Sequence, residues 1–174
     1  MVTFRHELVS DTAPREALLN RAFGKARKRK TSERLRQGRV PSEGLAFAAV
    51  DAGGRLVGTV RLWDVIAGSA GPVLMLGPIA VDCKHRGRGI GTALMERALN
   101  EARVKGHGAV MLVGDAPYYA RFGFAHGPVA DLHLPGPVER HRFLGLELIP
   151  GALDGAEGLV AASTRKMERE AKAA

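Results

Sequence analysis

The sequence predicts a mixed α/β domain with a strand–helix–strand unit at its centre. Two apolar runs, residues 73–81 and 109–113, flank residues 90–104, where apolar side chains recur at the spacing of one helix face. A single helix between two strands of one sheet carries the chain back to the end of the sheet where the first strand began, so the two strands are parallel. Such crossovers are almost always right-handed. Further strand signals before and after this unit extend the predicted sheet.

Composition predicts a single domain. The chain has 174 residues, of which 45% are hydrophobic and 25% charged, as in ordinary globular proteins. We assign the domain to residues 1–163 and interpret residues 164–174 as a charged, alanine-rich tail. Cys83 is the only cysteine, which excludes an internal disulfide and a cysteine metal cluster. There is neither a signal-peptide core nor an 18-residue apolar run, so we expect a cytoplasmic protein without membrane contact.

The net charge of +8 is concentrated in one stretch, residues 21–40, which we call the basic segment. It holds nine basic residues and one acid, whereas the other 154 residues hold 17 of each. Such a cluster would attract phosphates or an acidic partner. A solvated, partly mobile helix face is the alternative.

The remaining elements follow from periodicity. Before the central unit, the signals are a strand, a helix, a short helix inside the basic segment and two strands (3–9, 13–23, 32–37, 45–50 and 56–63). The glycine-rich residues 51–55 between the last two strands suit a hairpin. After the unit come a short helix near residues 117–121 and strands at 144–149 and 159–163.

The loop between the first strand and the helix of the central unit carries a phosphate-binding pattern. Glycines at 87, 89 and 91 let the backbone turn sharply, and Arg86 and Arg88 add charge. The unpaired N–H groups and the dipole of the helix N-terminus bind anions, so this is a pyrophosphate cradle on physical grounds. A plain glycine-rich turn is the alternative.

Two other nucleotide loops fit less well. The loop lacks the Gly-Lys-Ser/Thr ending of nucleoside triphosphatases. A dinucleotide fingerprint requires glycine where Thr92 stands and opens the first βα unit, whereas three strand signals precede this loop. Asp115, after the next strand, could imitate the ribose-binding acid and keeps this alternative open.

The spacing Arg86-x-x-Gly89-x-Gly91 resembles the coenzyme A loop of the GNAT superfamily of N-acetyltransferases. A second block, residues 117–124, is similar to that family's tyrosine-bearing helix, which runs into a Gly-Phe turn. The order of elements also matches, from residue 2 to about residue 163. Within the superfamily, the ending at residues 146–153 resembles a poorly characterised bacterial branch.

The resemblance implies a mostly antiparallel sheet of six to seven strands, with helices on both faces and a splayed parallel pair that holds acetyl-coenzyme A. The backbone of residues 87–92 would hold the pyrophosphate, and strand residues 79–81 would pair with the pantetheine arm. Gly77-Pro78 suits a bulge or an unpaired edge there. The implied cofactor-binding residues are Ile79, Ala80, Val81, Arg86, Gly87, Arg88, Gly89, Ile90, Gly91 and Thr92.

The same resemblance implies direct attack of a primary amine on the thioester. The thioester carbonyl would face the backbone N–H near Val81. Tyr119, four residues before Gly123, matches the family's acid that protonates the leaving thiolate. Tyr118 would face elsewhere, and a core or rim aromatic is the alternative for both tyrosines.

A general base is not identified, because strand residues 73–77 lack the carboxylate that many relatives carry. Water would deprotonate the amine, or a side chain such as Glu43, Asp64, His126 or Glu147. The six histidines are scattered, so we expect no metal. We interpret Cys83 as a bystander thiol.

These observations favour an N-acetyltransferase acting on an unidentified amine. A non-catalytic or regulatory acyl-coenzyme A binder is the second reading. A nucleic-acid binder acting through the basic segment is the third, although Phe23 is the only aromatic residue in it. The family's topology would set this segment beside the acceptor, where it would favour an acidic or polyanionic partner. A homodimer stays open.

Overall fold

The computed structural model describes residues 1–163, so the predicted tail 164–174 lies outside the described residues. The strands are β1 (Thr3–His6), β2 (Ala46–Val50), β3 (Leu56–Ala67), β4 (Pro72–Val81), β5 (Ala109–Val113), β6 (Leu132–His133), β7 (Phe143–Glu147) and β8 (Gly158–Ala162). The α-helices are α1 (Thr12–Phe23), α2 (Ile90–Val104) and α3 (Ala116–Ala120). No helix within residues 1–163 is long and apolar enough to cross a membrane.

The strands form one mostly antiparallel sheet in the order β1-β2-β3-β4-β5-β7, and β8 pairs with the far end of β3. The central β4-α2-β5 unit is parallel, as its pattern predicts. The residues described contain eight strands rather than six to seven. The extra strand is the two-residue β6, which pairs with β8 and is too short to leave a periodic signal.

Helices cover both faces of the sheet. Phe47 and Ala49 of β2 pack in the cluster that contains the apolar face of α2. The residue between them, Ala48, packs with Leu18 and Leu19 of α1. Successive side chains of a strand point to opposite faces, so α1 and α2 lie on opposite sides of β2.

The parallel strands β4 and β5 separate soon after they meet. They pair only at Leu74–Val110 and Met75–Met111, although both strands continue. Against β3, the register of β4 shifts between Leu76 and Ile79, so two β4 residues oppose a single β3 residue in a β-bulge. Beyond Met75, no described strand pairs with the β5-facing edge of β4. The predicted splay is confirmed.

Glycine and a tryptophan shape the bulge. Gly77 has φ +132, a conformation that side-chain-bearing residues rarely adopt. The Trp63 indole Nε1 donates to the Gly77 carbonyl at 2.5 Å, and Trp63 is buried. The bulge is therefore held by a buried side-chain contact from β3.

Candidate functional site

The loop before α2 has the backbone conformation that its glycines predict. Gly87 and Gly89 have φ +77 and +76, and Gly89 is the N-cap of α2. A Cβ at either glycine would meet nothing within 4 Å, so backbone conformation rather than crowding requires glycine. The first N–H to bond back along the helix is that of Ala93, at 3.0 Å from the Gly89 carbonyl. The earlier N–H groups are left for a ligand or water.

Positive side chains surround this helix start. Arg86 and Arg88 are exposed, and neither makes a hydrogen bond or an ion pair with any residue from 1 to 163. Arg121, which follows α3, donates to the Thr92 Oγ1 at 2.7 Å and lies 4.7 Å from the Tyr118 ring centroid. No local sequence signal marks Arg121, because only the contact between the end of α3 and the start of α2 brings it here.

Tyr119 is held in a close-fitting position at the end of β5. A Cβ on Gly114 would lie 2.3 Å from the Tyr119 ring, so only glycine at 114 admits the ring. Burial raises the pKa of Tyr119 to about 12, Tyr118 and Asp115 add to the rise, and Arg142 opposes it. The phenol therefore keeps its proton at neutral pH.

The structure corrects the expectation that Tyr118 faces elsewhere. The two tyrosine rings lie edge to face, with centroids 4.9 Å apart, and both line the same cleft. The Tyr118 hydroxyl is 3.4 Å from the position of a Cβ on Gly91. Tyr118 thus lies between Tyr119 and the start of α2. Both tyrosines reach the cleft because residues 118 and 119 belong to one short helix at its wall.

The cleft opens where β4 and β5 separate, and its volume is about 600 Å³. One wall is residues 76–79 of β4, and the opposite wall is residues 112–115 with both tyrosines. The basic segment and residues 137–142 close the outer side. Three distant parts of the chain thus meet at the splay.

Cations outnumber carboxylates in the cleft lining. The cations are Arg27, Arg29, Lys30, Arg34, Arg36 and Arg142, and the carboxylates are Glu33, Asp115 and Glu139. None of these three acids is among the four side chains that the sequence offers as a base. Asp115 caps α3 by accepting from the Tyr118 N–H at 3.2 Å, instead of serving as an isolated acid after β5.

The basic segment contacts the rest of the domain at Arg27 and Arg34, while six of its nine cations are exposed, so the alternative of a solvated face describes part of it. It forms two short 3-10 helices, Lys25–Arg29 and Thr31–Leu35. Arg27 is buried and bonds Glu16 and, at 3.1 Å, Asn20 on α1. At the other end, Arg34 donates to the Pro135 carbonyl at 2.5 Å.

None of the four side chains offered as a base lines the cleft. Glu43 is exposed. Asp64 accepts from the Ser42 hydroxyl at 2.8 Å, and the His126 Nδ1 lies 2.8 Å from the Phe143 carbonyl oxygen. Glu147 accepts from the Leu153 N–H at 2.9 Å. The contacts of the last three are structural.

The described part of the chain offers neither a group of metal ligands nor a cysteine in the cleft. Within residues 1–163, no group of three or more histidine, cysteine, aspartate or glutamate side chains is arranged to hold a metal ion. Cys83 is exposed on the 3-10 turn Cys83–His85, before the glycine loop and outside the cleft lining.

Comparisons with known proteins agree with this geometry. The family model of the acetyltransferase (GNAT) family matches residues 14–124, which include the glycine loop and both tyrosines. The chain is 32% identical to the uncharacterized N-acetyltransferase YhbS of Escherichia coli, over 90% of this chain and 93% of that protein.

Solved structures give the same picture. The crystal structure of Escherichia coli YhbS in complex with CoA superposes with a TM-score of 0.78 at 30% identity, covering 93% of this chain and 89% of that one. A GNAT family acetyltransferase from Brucella melitensis in complex with acetyl-CoA gives a TM-score of 0.67 at 26% identity, covering 94% and 97%.

Proposed function

The chain belongs to the acetyltransferase (GNAT) family, and we propose that it transfers the acetyl group of acetyl-coenzyme A to a primary amine. The observation that carries this proposal is the splay of β4 and β5. It sets an unpaired strand edge and the protonated Tyr119 on one cleft. The glycine-rich start of α2 is not part of the cleft lining and lies next to it, beside the Tyr118 hydroxyl.

The free edge and the loop suit the two parts of the cofactor. Backbone N–H groups at residues 87–92 would bind the pyrophosphate, with Arg86 and Arg88 supplying charge at the entry. The edge at residues 79–81 would pair with the amides of the pantetheine arm as an added strand would. The positive φ values and the unpaired edge support these roles.

Acetyl-coenzyme A supplies the acetyl group as a thioester, whose C–S bond breaks as the neutral amine forms the new C–N bond. A backbone N–H near Val81 would donate to the carbonyl oxygen as negative charge develops on it. Tyr119, which its raised pKa keeps protonated at neutral pH, would give its proton to the leaving thiolate. The amine loses its own proton to water or to a carboxylate of the cleft lining.

The finer predictions rest on the sequence. Within this proposal the acceptor is a primary amine, the basic segment borders it and favours an acidic partner, and the protein is cytoplasmic.

The cofactor half of the proposal is tested at Gly89. Valine there would strain the backbone at φ +76, turning the N–H groups away from the pyrophosphate. Gly106, with φ +82 at the other end of α2, is a matched control with equally open surroundings. We expect calorimetry to show no measurable acetyl-coenzyme A binding for Gly89→Val and ordinary binding for Gly106→Val. Unchanged affinity in Gly89→Val would contradict the assignment of the loop.

The transfer half is tested by following thiol release with a panel of primary amines. An N-acetyltransferase releases coenzyme A in proportion to acetylated amine for at least one acceptor class. Binding of acetyl-coenzyme A with no thiol release above the hydrolysis rate, across the panel, would instead support the non-catalytic acyl-coenzyme A binder.

A further inference from the structure

Resting on the proposed function, we propose that Arg36 is the anion-binding residue of the acceptor site. The acceptor is then a small amine that also carries a carboxylate or phosphate group.

The position of Arg36 supports this role. The Arg36 Nη1 lies 3.1 Å from the point that a Cβ on Gly77 would occupy, so the guanidinium lies against the β4 bulge. It also lines the cleft. Gly77 is at the end of the free β4 edge, away from the glycine loop. With the cofactor along residues 79–81 and the loop, a ligand at Arg36 would lie on the acceptor side.

The hydrogen bonds of Arg36 are incomplete. The side chain is only 8% exposed, and its Nη2 contacts the Ser32 Oγ and the Glu33 Oε2, both at 3.2 Å. Its Nε is buried without a partner, and Nη1 bonds no residue from 1 to 163. A guanidinium has five N–H donors, and burying them unpaired costs free energy. A ligand oxygen in the cleft would remove part of that cost.

Arg36 is paired with Glu33, but the charged cluster around it has an excess of positive charge. Burial lowers the pKa of Arg36, Glu33 opposes this, and the charges of Arg27 and Arg61 add to it. Two other carboxylates nearby form ion pairs with other arginines. Glu16 pairs with Arg27, and Glu7 pairs with Arg15 and Arg61. This cluster holds four guanidinium groups and three carboxylates, so one positive charge is uncompensated.

A comparison with Arg15 separates this role from an ordinary structural one. The Arg15 Nε is also buried and unpaired, but both Nη atoms of Arg15 contact carboxylates and Arg15 does not line the cleft. Arg36 alone of the two presents unpaired donors beside the cleft. A planar guanidinium matches the two oxygens of a carboxylate or phosphate. A cleft of about 600 Å³ is of small-molecule size.

The test measures anion binding without catalysis. Succinate and inorganic phosphate are titrated separately by calorimetry into the protein saturated with coenzyme A, which distinguishes a carboxylate site from a phosphate site. For the anion that binds, we expect Arg36→Met to weaken binding at least about thirtyfold. Arg36→Lys should restore part of the affinity, and every variant should bind coenzyme A normally, which shows that it is folded.

Lys28→Met is the matched control, because Lys28 is an exposed cation of the same segment that does not line the cleft. It should change anion affinity less than about threefold, as an exposed charge does. Equal losses in Lys28→Met and Arg36→Met would show a diffuse field and overturn the proposal. The proposal would also be overturned if the wild-type protein bound neither succinate nor phosphate, even if it still bound a polyanion.

An activity comparison separates this inference from the proposed function. β-Alanine and phosphoethanolamine are compared with their neutral counterparts, β-alaninamide and ethanolamine, as acceptors. Wild type should prefer the acidic members, and Arg36→Met should lose that preference. Transfer without any preference would overturn the inference and leave the function standing. Arg36-dependent anion binding without transfer to any amine would overturn the proposed function and leave the anion site standing.

Discussion

At the scale of single residues, Tyr119 depends on its neighbours for both position and protonation. Gly114 leaves room for the ring, since a Cβ there would lie 2.3 Å from it. Burial raises the pKa of Tyr119 to about 12, so the phenol holds its proton throughout the neutral range. A leaving thiolate is basic at neutral pH, because a thiol has a pKa of about 8.5, and a protonated hydroxyl within reach can donate to it as the C–S bond breaks.

We expect Tyr119→Phe to lower kcat by about 10²–10⁴-fold, the usual contribution of a general acid. The substitution removes only the hydroxyl, so the ring still packs against Gly114 and Phe124. Acetyl-coenzyme A affinity should therefore stay close to that of wild type. Steady-state turnover and calorimetry on the same preparation measure the two effects.

Tyr118→Phe is the natural control, because the two rings touch and line the same cleft. Its hydroxyl lies near Gly91, so its loss should affect cofactor affinity more than kcat. A large kcat loss in Tyr118→Phe, with Tyr119→Phe unaffected, would exchange their roles. No effect in either variant would contradict the assignment of Tyr119 as the acid, because the proton would then come from water or the chemistry would lie elsewhere.

At the scale of elements, the sequence predicts best the helices and strands whose bounds depend on residues adjacent in the chain. The predicted bounds of α2 and β5 match the structure, because a full apolar stripe, a following Gly106 and a short apolar run are contiguous signals. β3 continues to Ala67, beyond the predicted end at residue 63. Its last residues pair with β8 nearly a hundred positions later, and no local window contains that partner.

The residues of the candidate site fall into the same two groups, those with a local sequence signal and those without one. The glycine loop and Tyr119 are predictable because their signals are contiguous in the chain. Arg36 and Arg121 are not, because each matters through a contact with a distant segment, at Gly77 and Thr92 respectively. The burial of Arg27 is also invisible in a run of exposed cations, since it depends on the facing side of α1.

The contact between α1 and the basic segment should make stability depend on pH. Burial alone would raise the pKa of Glu16, but the hydrogen bond and charge of Arg27, with Arg15, lower it overall. A carboxylate with a lowered folded-state pKa stabilises the fold above its unfolded value, near 4.5, and loses this contribution as pH falls through the folded value.

We expect Glu16→Gln to reduce the free energy of unfolding at pH 7 by about 1–2 kcal/mol. This is less than a fully buried pair would give, because the Glu16 side chain is 39% exposed. The difference from wild type should shrink below about pH 4.5, as urea denaturation at several pH values would measure. Glu96→Gln, an exposed α2 carboxylate outside the ion pairs described, is the control. A constant difference at all pH values would mean that the pair does not contribute through its charge.

At the scale of the whole molecule, charge is distributed very unevenly. The basic segment has the full net charge of +8, and the rest of the chain is neutral. Six of its cations remain exposed after folding, namely Arg21, Lys25, Lys28, Arg29, Lys30 and Arg34. The segment has a single aromatic residue, Phe23, which is partly exposed and has the Lys30 Nζ 5.0 Å from its ring centroid. The exposed surface therefore offers charge without a platform for stacking bases.

We expect this charge to attract acidic acceptors rather than to hold nucleic acid. Replacing Lys28, Arg29 and Lys30 together with glutamine should raise KM for an acidic acceptor about fivefold to tenfold and leave acetyl-coenzyme A affinity unchanged. Wild type should retain DNA only at low salt and without sequence preference, because that attraction is screened at about 0.15 M salt. The control removes the same charge from the second half of α2 and its C-cap, at the exposed Arg97, Arg103 and Lys105, and should leave KM unchanged. DNA retention that persists at about 0.15 M salt and falls in the basic-segment variant, with KM constant, would identify a polyanion site. A KM that rises equally in both variants would mean that net charge, rather than the position of the segment beside the cleft, attracts the acceptor.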